Sequence, residues 1–293
     1  MRGLIRKGEW LSIPLSGDEA SSYEEVNRQI QVPLKYWNRL KSRGDIKSQG
    51  GRLLLRLFPE QSGPFVSQWG DVDIVYEDDW CLVVNKPAGI AVHPASPDQV
   101  GTLGNQLASY YEMTGQACRV RHIHRLDADT TGLVLYAKNE LAQLHLDEAM
   151  RQKTINRTYL AIAEGHFTKV QGTIDAPIGK DRHTTGKRRV STNGDAALTH
   201  YRVIEQMKDA ALVEVELETG RTHQIRVHIS YLGHPLIGDR LYGGNQELLP
   251  RQALHGYKLS FEHPITSEAI ELECPIPSDL QELYEGLSAS GKM

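Results

Sequence analysis

The sequence is poor in cysteine and has no long apolar run. It contains three cysteines in 293 residues, Cys81, Cys118 and Cys274, and none of them forms a Cys-x-x-Cys pair. Their odd number and wide spacing exclude a disulfide framework and a thiolate zinc site, and they favour a reducing cytoplasm. No segment approaches the roughly 20 apolar residues that a membrane-spanning helix needs. Glu9 and Pro14 interrupt the apolar residues near the start, so we expect no signal peptide there.

The overall composition is that of an ordinary globular protein. Hydrophobic residues make up 40% and charged residues 24% of the sequence, as in typical soluble domains. At about 150 residues per domain, the length predicts about two domains. The formal net charge of −4 at pH 7 does not by itself indicate a nucleic-acid-binding protein.

Charge is nevertheless unevenly distributed along the chain. Residues 28–56 hold eight basic residues and one acidic residue, residues 179–193 hold five and one, and residues 262–285 hold seven acidic residues with no lysine or arginine. Separated charge of this kind indicates a surface that binds a polyanion, although chance clustering on a solvated surface is the alternative interpretation. The side chains that we predict to contact such a polyanion are Lys35, Arg39, Lys41, Arg43, Lys187, Arg188 and Arg189.

The first 65 residues have the features of a small separate module. The segment VPLKYWNRLKSRGDI predicts a helix with one apolar and one basic face, and Gly44 ends it. GGRLLLRLFP then predicts a turn and a strand. A basic helix followed by a short strand is typical of small RNA-binding modules. Residues 61–70, rich in serine, glycine and proline, are the expected linker to a second domain of residues 72–293.

Strands predominate after residue 72, with few helices and no regular alternation of strand and helix. This pattern predicts an α+β fold with a mixed, mostly antiparallel sheet and flanking helices. Asn139 is a candidate N-cap for a helix that continues to Met150. The other predicted strands and helices are VDIVYEDDWCLVVNKPAG (two strands), GLVLYAK, RTYLAIAEG, LTHYRVIEQM, ALVEVELETG, RTHQIRVHISYLG (helix), ALHGYKLSFEHP, EAIELECP and PSDLQELYEGL (helix).

The segment HIHRLDADTTGLVLYAKN, residues 122–139, is the most informative. Asp127 and Asp129 lie in a polar turn directly before a predicted buried strand, where a carboxylate is both rigidly held and accessible. Asp127 could instead only cap the turn, and spacing alone does not decide between these roles. His122 and His124 could bind a metal ion together with Asp127, but His-x-His with one acid is a weak signal, and packed or solvated histidines are commoner.

A second segment, residues 218–244, concentrates arginine and histidine around the start of a predicted helix. Backbone N–H groups at a helix start add to the positive field of Arg221, His223 and Arg226. Arg226 lies among apolar residues of the helix, and a buried arginine needs a carboxylate partner. A zinc site at His223, His228 and His234 is disfavoured because a separation of five residues puts the first two on different faces of the helix.

Four segments, in this order and spacing, resemble the motifs of the RluA family of pseudouridine synthases. They are VVNKPAGIAVHP (83–94), HRLDADTTGLVLYAK (124–138), RTYLAIAEG (157–165) and TGRTHQIRVHISYLGHPLIGDRLYG (219–243). The resemblance runs from about residue 72 to residue 275, some two-thirds of the chain. The first 65 residues are similar to the RNA-binding appendage of some members, but they depart from its usual pattern.

The resemblance implies a role for several residues. Asp127 matches the catalytic aspartate, Tyr159 the tyrosine that stacks on the target base, and Arg226 the arginine that pairs with the aspartate. Arg125 matches the arginine that takes the place of the flipped base in the RNA helix. Thr131 stands where many members have serine, and both residues offer a hydroxyl group. Further candidate substrate contacts in the matching motifs are Arg221, His124 and Thr130.

The activity that the resemblance implies is isomerisation of uridines in ribosomal or transfer RNA to pseudouridine, with no cofactor and no metal ion. The reaction detaches uracil from ribose, rotates it and rejoins it through carbon, which needs an ionised carboxylate as nucleophile or base. We expect a cytoplasmic monomer whose basic segments bind RNA. Two alternatives are a non-catalytic RNA-binding protein and a histidine-based metal hydrolase. The presence of Asp127, Tyr159 and Arg226 together argues against the first.

Overall fold

The computed structural model describes residues 3–15, 22–61 and 63–290. The elements of the N-terminal part are β1 (Ile5–Lys7), β2 (Trp10–Pro14), α1 (Ser22–Ile30), α2 (Leu34–Arg43), β3 (Ile46–Gln49) and β4 (Arg52–Arg56). The elements that follow are β5 (Asp73–Glu77), β6 (Cys81–Lys86), α3 (Leu103–Met113), β7 (Arg121–His122), β8 (Thr131–Ala137), α4 (Glu140–Arg151), β9 (Asn156–Glu164), β10 (Gln171–Asp175), β11 (Ile178–Lys180), β12 (Arg188–Val190), β13 (Leu198–Gln206), β14 (Ala210–Leu217), α5 (Gln224–Tyr231), β15 (Leu254–Glu262), β16 (Ala269–Glu273) and α6 (Ser278–Ser290). Within the described ranges, no helix has both the length and the apolar character that a membrane crossing requires.

The N-terminal module is a four-stranded antiparallel sheet packed against α1 and α2. Its strands lie in the order β1-β2-β4-β3, and apolar residues of both helices pack on β2 and β4. The predicted basic helix is confirmed as α2, which follows Pro33 and ends at Gly44 with φ of 74°. That left-handed conformation is one that glycine adopts without steric cost. The strand predicted after it is confirmed as β4.

The N-terminal module shares a hydrophobic core with the rest of the protein. Its apolar cluster includes Leu141 of α4 and Ile265, which follows β15. Arg39 of α2 also forms an ion pair with Glu140 at the start of α4. The predicted linker, residues 61–70, contains no helix or strand where it is described and runs along α3. The module is therefore docked on its neighbour.

The second part of the chain is built on a large ten-stranded sheet. Its main path has the order β10-β13-β14-β9-β15-β8-β6-β5, with β16 beside β15 and β7 beside β8. The β8–β15 pair is parallel, whereas the other pairs in this sheet are antiparallel. Together with the flanking helices, this confirms the predicted mixed, mostly antiparallel α+β fold. The hairpin of β11 and β12 forms a separate two-stranded sheet.

The parallel β8–β15 pair fixes the turn that contains Asp127 at the middle of the large sheet. Every residue of β8 is buried, as its apolar sequence predicts. Gly132 has φ of 122°, and a Cβ atom there would lie 2.2 Å from the Gly256 carbonyl oxygen of β15. No larger residue fits that approach. After β8, the predicted cap is confirmed: the Asn139 side chain accepts a hydrogen bond of 2.9 Å from the Ala142 backbone N–H at the start of α4.

Candidate active site

Asp127 lies in a tight turn that hydrogen bonds hold on several sides. The Thr130 backbone N–H donates to the Asp127 carbonyl oxygen at 3.1 Å, and the buried Thr130 hydroxyl accepts from the Gln252 amide at 3.0 Å. The Lys86 ammonium donates to the Ala128 carbonyl oxygen at 2.7 Å. Burial lowers the pKa of Lys86 to about 7, although nearby carboxylates act in the opposite direction. These contacts leave the Asp127 side chain 20% exposed on a rigid support.

Arg226 lies between two carboxylates. Its NH1 donates to Asp127 Oδ2 at 2.9 Å, and its Nε and NH2 donate to the two oxygens of Asp239 at 2.7 and 2.8 Å. Burial alone would lower the pKa of Arg226, but the hydrogen bonds and charges of Asp239 and Asp127 raise it above its ordinary value. Arg226 is thus a permanent cation that holds one oxygen of Asp127 and both oxygens of Asp239.

Asp239 is the carboxylate that sequence reasoning missed. The sequence shows that a buried arginine needs a partner, but not which of the later acids supplies it. The Asp239 side chain is completely buried. Gly238 has φ of 78°, and a Cβ atom there would lie 1.9 Å from the Arg251 carbonyl oxygen. An aspartate beside a required glycine in the GDRLYG segment was the available signal.

Tyr159 brings an aromatic ring to the same place from β9. It is 4% exposed. A carbon atom of its ring lies 3.3 Å from the position that a Cβ atom on Gly256 would take. Burial raises the pKa of the Tyr159 hydroxyl, and Asp127 raises it further, against the opposing charge of Arg157. The hydroxyl therefore stays protonated at neutral pH.

Most of the predicted catalytic and substrate-contacting residues line one cavity. Arg125 is exposed at its rim, and Arg221 donates through Nε to the Ala196 carbonyl oxygen at 2.9 Å. His124 does not line this cavity: it is buried, and its Nε2 accepts a 3.2 Å hydrogen bond from the Leu135 backbone N–H. Burial lowers the pKa of His124 to about 3. The predicted residues that line the cavity are Arg125, Asp127, Thr130, Tyr159, Arg221 and Arg226.

The histidines of the second segment have separate partners. The His223 Nδ1 atom lies 3.0 Å from the Tyr242 hydroxyl, whereas His228 bonds to the Thr199 hydroxyl at 2.8 Å. Among the residues that the structure describes, one group of histidine, cysteine and acidic side chains is close enough to share a metal ion. It lies at the end of β6 away from Asp127 and consists of Asp78, Cys81 and His263.

The basic residues of α2 have two different environments. Lys35, Lys41 and Arg43 are exposed. Arg39 is instead used in its ion pair with Glu140, so it contributes less free charge than the sequence pattern indicates.

The basic residues of the β11–β12 hairpin reach the cavity through Tyr242, whose hydroxyl lies 3.0 Å from Nδ1 of His223 in the cavity lining. The Arg188 backbone N–H donates to the Tyr242 hydroxyl at 2.9 Å, and the Lys187 ammonium lies 5.5 Å from the centre of the Tyr242 ring. Arg189 is exposed. A polyanion bound at this hairpin would therefore lie next to the Asp127 site.

Comparison with known proteins agrees with this geometry. Residues 80–231 match a family model described as RNA pseudouridylate synthase. The chain is 49% identical over 240 residues to an uncharacterized RNA pseudouridine synthase, YhcT, of Bacillus subtilis, covering 81% of this chain and 80% of that protein. It is 45% identical over 232 residues to the ribosomal large subunit pseudouridine synthase D of Vibrio parahaemolyticus, covering 74% of this chain and 70% of that protein.

Solved structures of human proteins have the same fold. The human RNA pseudouridylate synthase domain containing 4 has a TM-score of 0.61 and 26% identity, covering 73% of this chain and 92% of that one. The human RNA pseudouridylate synthase domain containing 1 has a TM-score of 0.59 and 30% identity, covering 71% of this chain and 84% of that one. Fold and sequence together define an RNA pseudouridylate synthase domain. The chain belongs to the RluA family of these proteins, as its motifs indicate.

Proposed function

We propose that this protein converts uridines in RNA to pseudouridine and that Asp127 is its catalytic carboxylate. One observation carries the assignment of Asp127. Among the described residues that line the cavity, Asp127 is the only carboxylate, and Arg226 bonds to one of its oxygens while the side chain stays partly exposed. Such a group is held by a cation and accessible to a substrate.

The chemistry assigns a part to each of the three central residues. The C1′–N1 bond breaks, the C1′–C5 bond forms, the C5 proton leaves and N1 gains a proton. In these steps Asp127 serves as nucleophile or as proton acceptor, and Arg226 holds one of its oxygens. The uridine must leave its stack to reach the cavity, which costs a few kcal/mol. Stacking on the Tyr159 ring stabilises the unstacked uridine by about 1–3 kcal/mol, which offsets part of that cost.

The proposed substrate is large-subunit ribosomal RNA. Support comes from several relatives at 41–45% identity whose names specify the ribosomal large subunit. We further propose that the protein acts as a cytoplasmic monomer and that residues 1–65 are an RNA-binding module attached to a catalytic domain of residues 72–293.

Pseudouridine mapping on total RNA tests this function. Carbodiimide modification followed by reverse transcription is compared in cells with and without the gene. We expect the loss of one or a few stops in large-subunit RNA, restored by the wild-type chain and not by Asp127→Asn. Lost stops only in transfer RNA would contradict the proposed substrate. Purified chain that modifies neither RNA would favour the non-catalytic RNA-binding alternative.

The proposed stacking role of Tyr159 predicts different results for two substitutions. Tyr159→Phe keeps the aromatic face, so target-RNA affinity is expected to stay within about twofold of wild type. Tyr159→Ala is expected to weaken binding by about 1–3 kcal/mol. Fluorescence anisotropy with a target stem-loop measures both values, and circular dichroism checks that both variants are folded. Equal affinities of the two variants would contradict stacking.

The basic segments predict how RNA binding depends on salt. Affinity for RNA falls as salt rises, so the slope of log affinity against log salt is negative. For single-stranded RNA, each lost phosphate contact reduces the magnitude of that slope by about 0.7. Replacing both Lys187 and Arg189 by alanine is therefore expected to reduce the magnitude of the slope by about 1.4. Removing three basic side chains of α2 is expected to reduce it by about 2. The three in α2 are Lys35, Lys41 and Arg43.

A lysine outside the predicted contacts provides the control for the salt experiment. Lys258 lies outside both basic segments and forms ion pairs with Glu271 at 2.6 Å and Glu273 at 3.3 Å, and Lys258→Ala is expected to leave the slope unchanged. An unchanged slope in either multiple variant would remove that segment from the RNA-binding surface.

A further inference from the structure

His223 lies beside Asp127 and has no part in the chemistry described so far. It precedes α5 with φ of 59°, a left-handed conformation that is uncommon outside glycine. Its side chain is 18% exposed, and its Nε2 atom lies 3.8 Å from Asp127 Oδ2. Backbone strain of this kind persists only where the surroundings hold it, and it concentrates at functional sites.

The Tyr242 hydroxyl contacts the His223 nitrogen that is not directed at Asp127. The Tyr242 hydroxyl oxygen accepts from the Arg188 backbone N–H at 2.9 Å, and it lies 3.0 Å from His223 Nδ1. Because the Arg188 amide hydrogen already occupies the phenol oxygen as acceptor, we infer that the phenol donates its own hydrogen to Nδ1. The remaining hydrogen of a neutral imidazole then lies on Nε2, which faces Asp127.

Burial favours the neutral form of this imidazole. Burial lowers the pKa of His223, and the charges of Arg226 and Arg188 act in the same direction, against the opposing carboxylates of Asp127 and Asp239. A neutral ring with hydrogen on Nε2 is a hydrogen-bond donor toward the carboxylate and an acceptor toward Tyr242.

Both Arg226 and His223 approach the same oxygen of Asp127. Arg226 NH1 bonds to Oδ2 at 2.9 Å, and His223 Nε2 faces Oδ2 at 3.8 Å. The second distance is longer than a hydrogen bond, as is common before substrate binds. If both donors hold Oδ2, the carboxylate cannot rotate about its own axis, and Oδ1 is presented to the uridine.

We propose that His223 is a positioning residue that donates its Nε2–H to Asp127 when RNA occupies the site, with its tautomer fixed by Tyr242. This inference rests on the proposed function of Asp127 and extends it to the orientation of the carboxylate. It requires the donor atom at Nε2, so it distinguishes substitutions that keep that donor from those that remove it.

Two substitutions of His223 test the donor. His223→Met removes it, and His223→Gln carries an amide N–H near the position of Nε2. The two variants share the cost of the left-handed backbone. We expect the Met variant to lower the single-turnover rate at saturating RNA by about 10- to 100-fold, the effect of one lost hydrogen bond to a charged group. The Gln variant is expected to recover most of that rate.

The split between rate and affinity separates positioning from general damage. RNA dissociation constants of both variants are expected to stay within about twofold of wild type, because the donor acts on the carboxylate. A Met variant with the wild-type rate would overturn the proposal. A Gln variant as slow as the Met variant would overturn it as well.

A measurement without RNA keeps this inference separate from the proposed function. Nitrogen-15 NMR of the full-length chain identifies the His223 tautomer, with the signal assigned by its loss in His223→Gln. We expect hydrogen on Nε2 in wild type and a mixture of tautomers in Tyr242→Phe. Hydrogen on Nδ1 in wild type would overturn the inference. Failure of the wild-type chain to modify any RNA would instead contradict the proposed function and leave the tautomer result standing.

Discussion

Asp127→Asn is expected to lower the rate of pseudouridine formation by about 1,000-fold or more and to leave RNA affinity almost unchanged. Asparagine keeps the shape of the side chain and still accepts the hydrogen bond from Arg226, but it cannot act as nucleophile or base. The rate is measured as tritium released from RNA that carries tritium at C5 of uridine, because that hydrogen leaves in the reaction.

Asp129 supplies the matched control for Asp127. It lies two residues later in the same turn and is exposed, and Asp129→Asn makes the same chemical change. We expect its rate to stay within about threefold of wild type, as for surface substitutions away from a site. Comparable rate losses in the two variants would mean that the turn, not the Asp127 carboxylate, is what the reaction needs.

Arg226→Met is expected to cost both activity and stability. It removes the cation that lies between Asp127 and the completely buried Asp239, and it leaves a buried carboxylate without its partner. Breaking a buried ion pair in this way lowers the free energy of unfolding by about 3–5 kcal/mol. Urea denaturation measures that loss, and the tritium assay is expected to show the rate close to background.

An ion pair with an exposed arginine provides the comparison for Arg226. The Arg202 side chain is 58% exposed and bonds to Glu214 at 2.7 Å, so Arg202→Met is expected to cost about 0–1 kcal/mol. A similar stability loss in both variants would show that the burial of Asp239 has no special energetic weight. Near-normal activity in Arg226→Met would remove that residue from the proposed mechanism.

The sequence is most informative where a local pattern also determines the structure. The apolar run of β8 and the cap at Asn139 are local features, and both are confirmed. Helix α3 was missed because Gly104, Asn105 and Ser109 are on its buried side and obscure the apolar period. The capping box of Thr102 with Asn105 was the signal that could have found it.

The site was predictable in its main residues but not in its supports. The motifs resemble a known family closely enough to propose Asp127, Tyr159 and Arg226, which the fold brings to one cavity. The pairing of Arg226 with Asp239, and the contact of Tyr242 with the hairpin, depend on long-range packing. The GDRLYG segment marks Asp239 as a candidate partner, but no periodicity or spacing in a single sequence shows that either contact forms.

The docking of the N-terminal module has a consequence for target choice. Leu141 and Ile265 join the module to the large-sheet domain through one hydrophobic core. A module on a free tether samples many distances from its neighbour, whereas close-packed side chains leave little room for movement. RNA bound by α2 would therefore lie at a fixed distance from Asp127. A uridine would then be selected by how far it lies from a second feature of the folded RNA, in addition to the bases beside it.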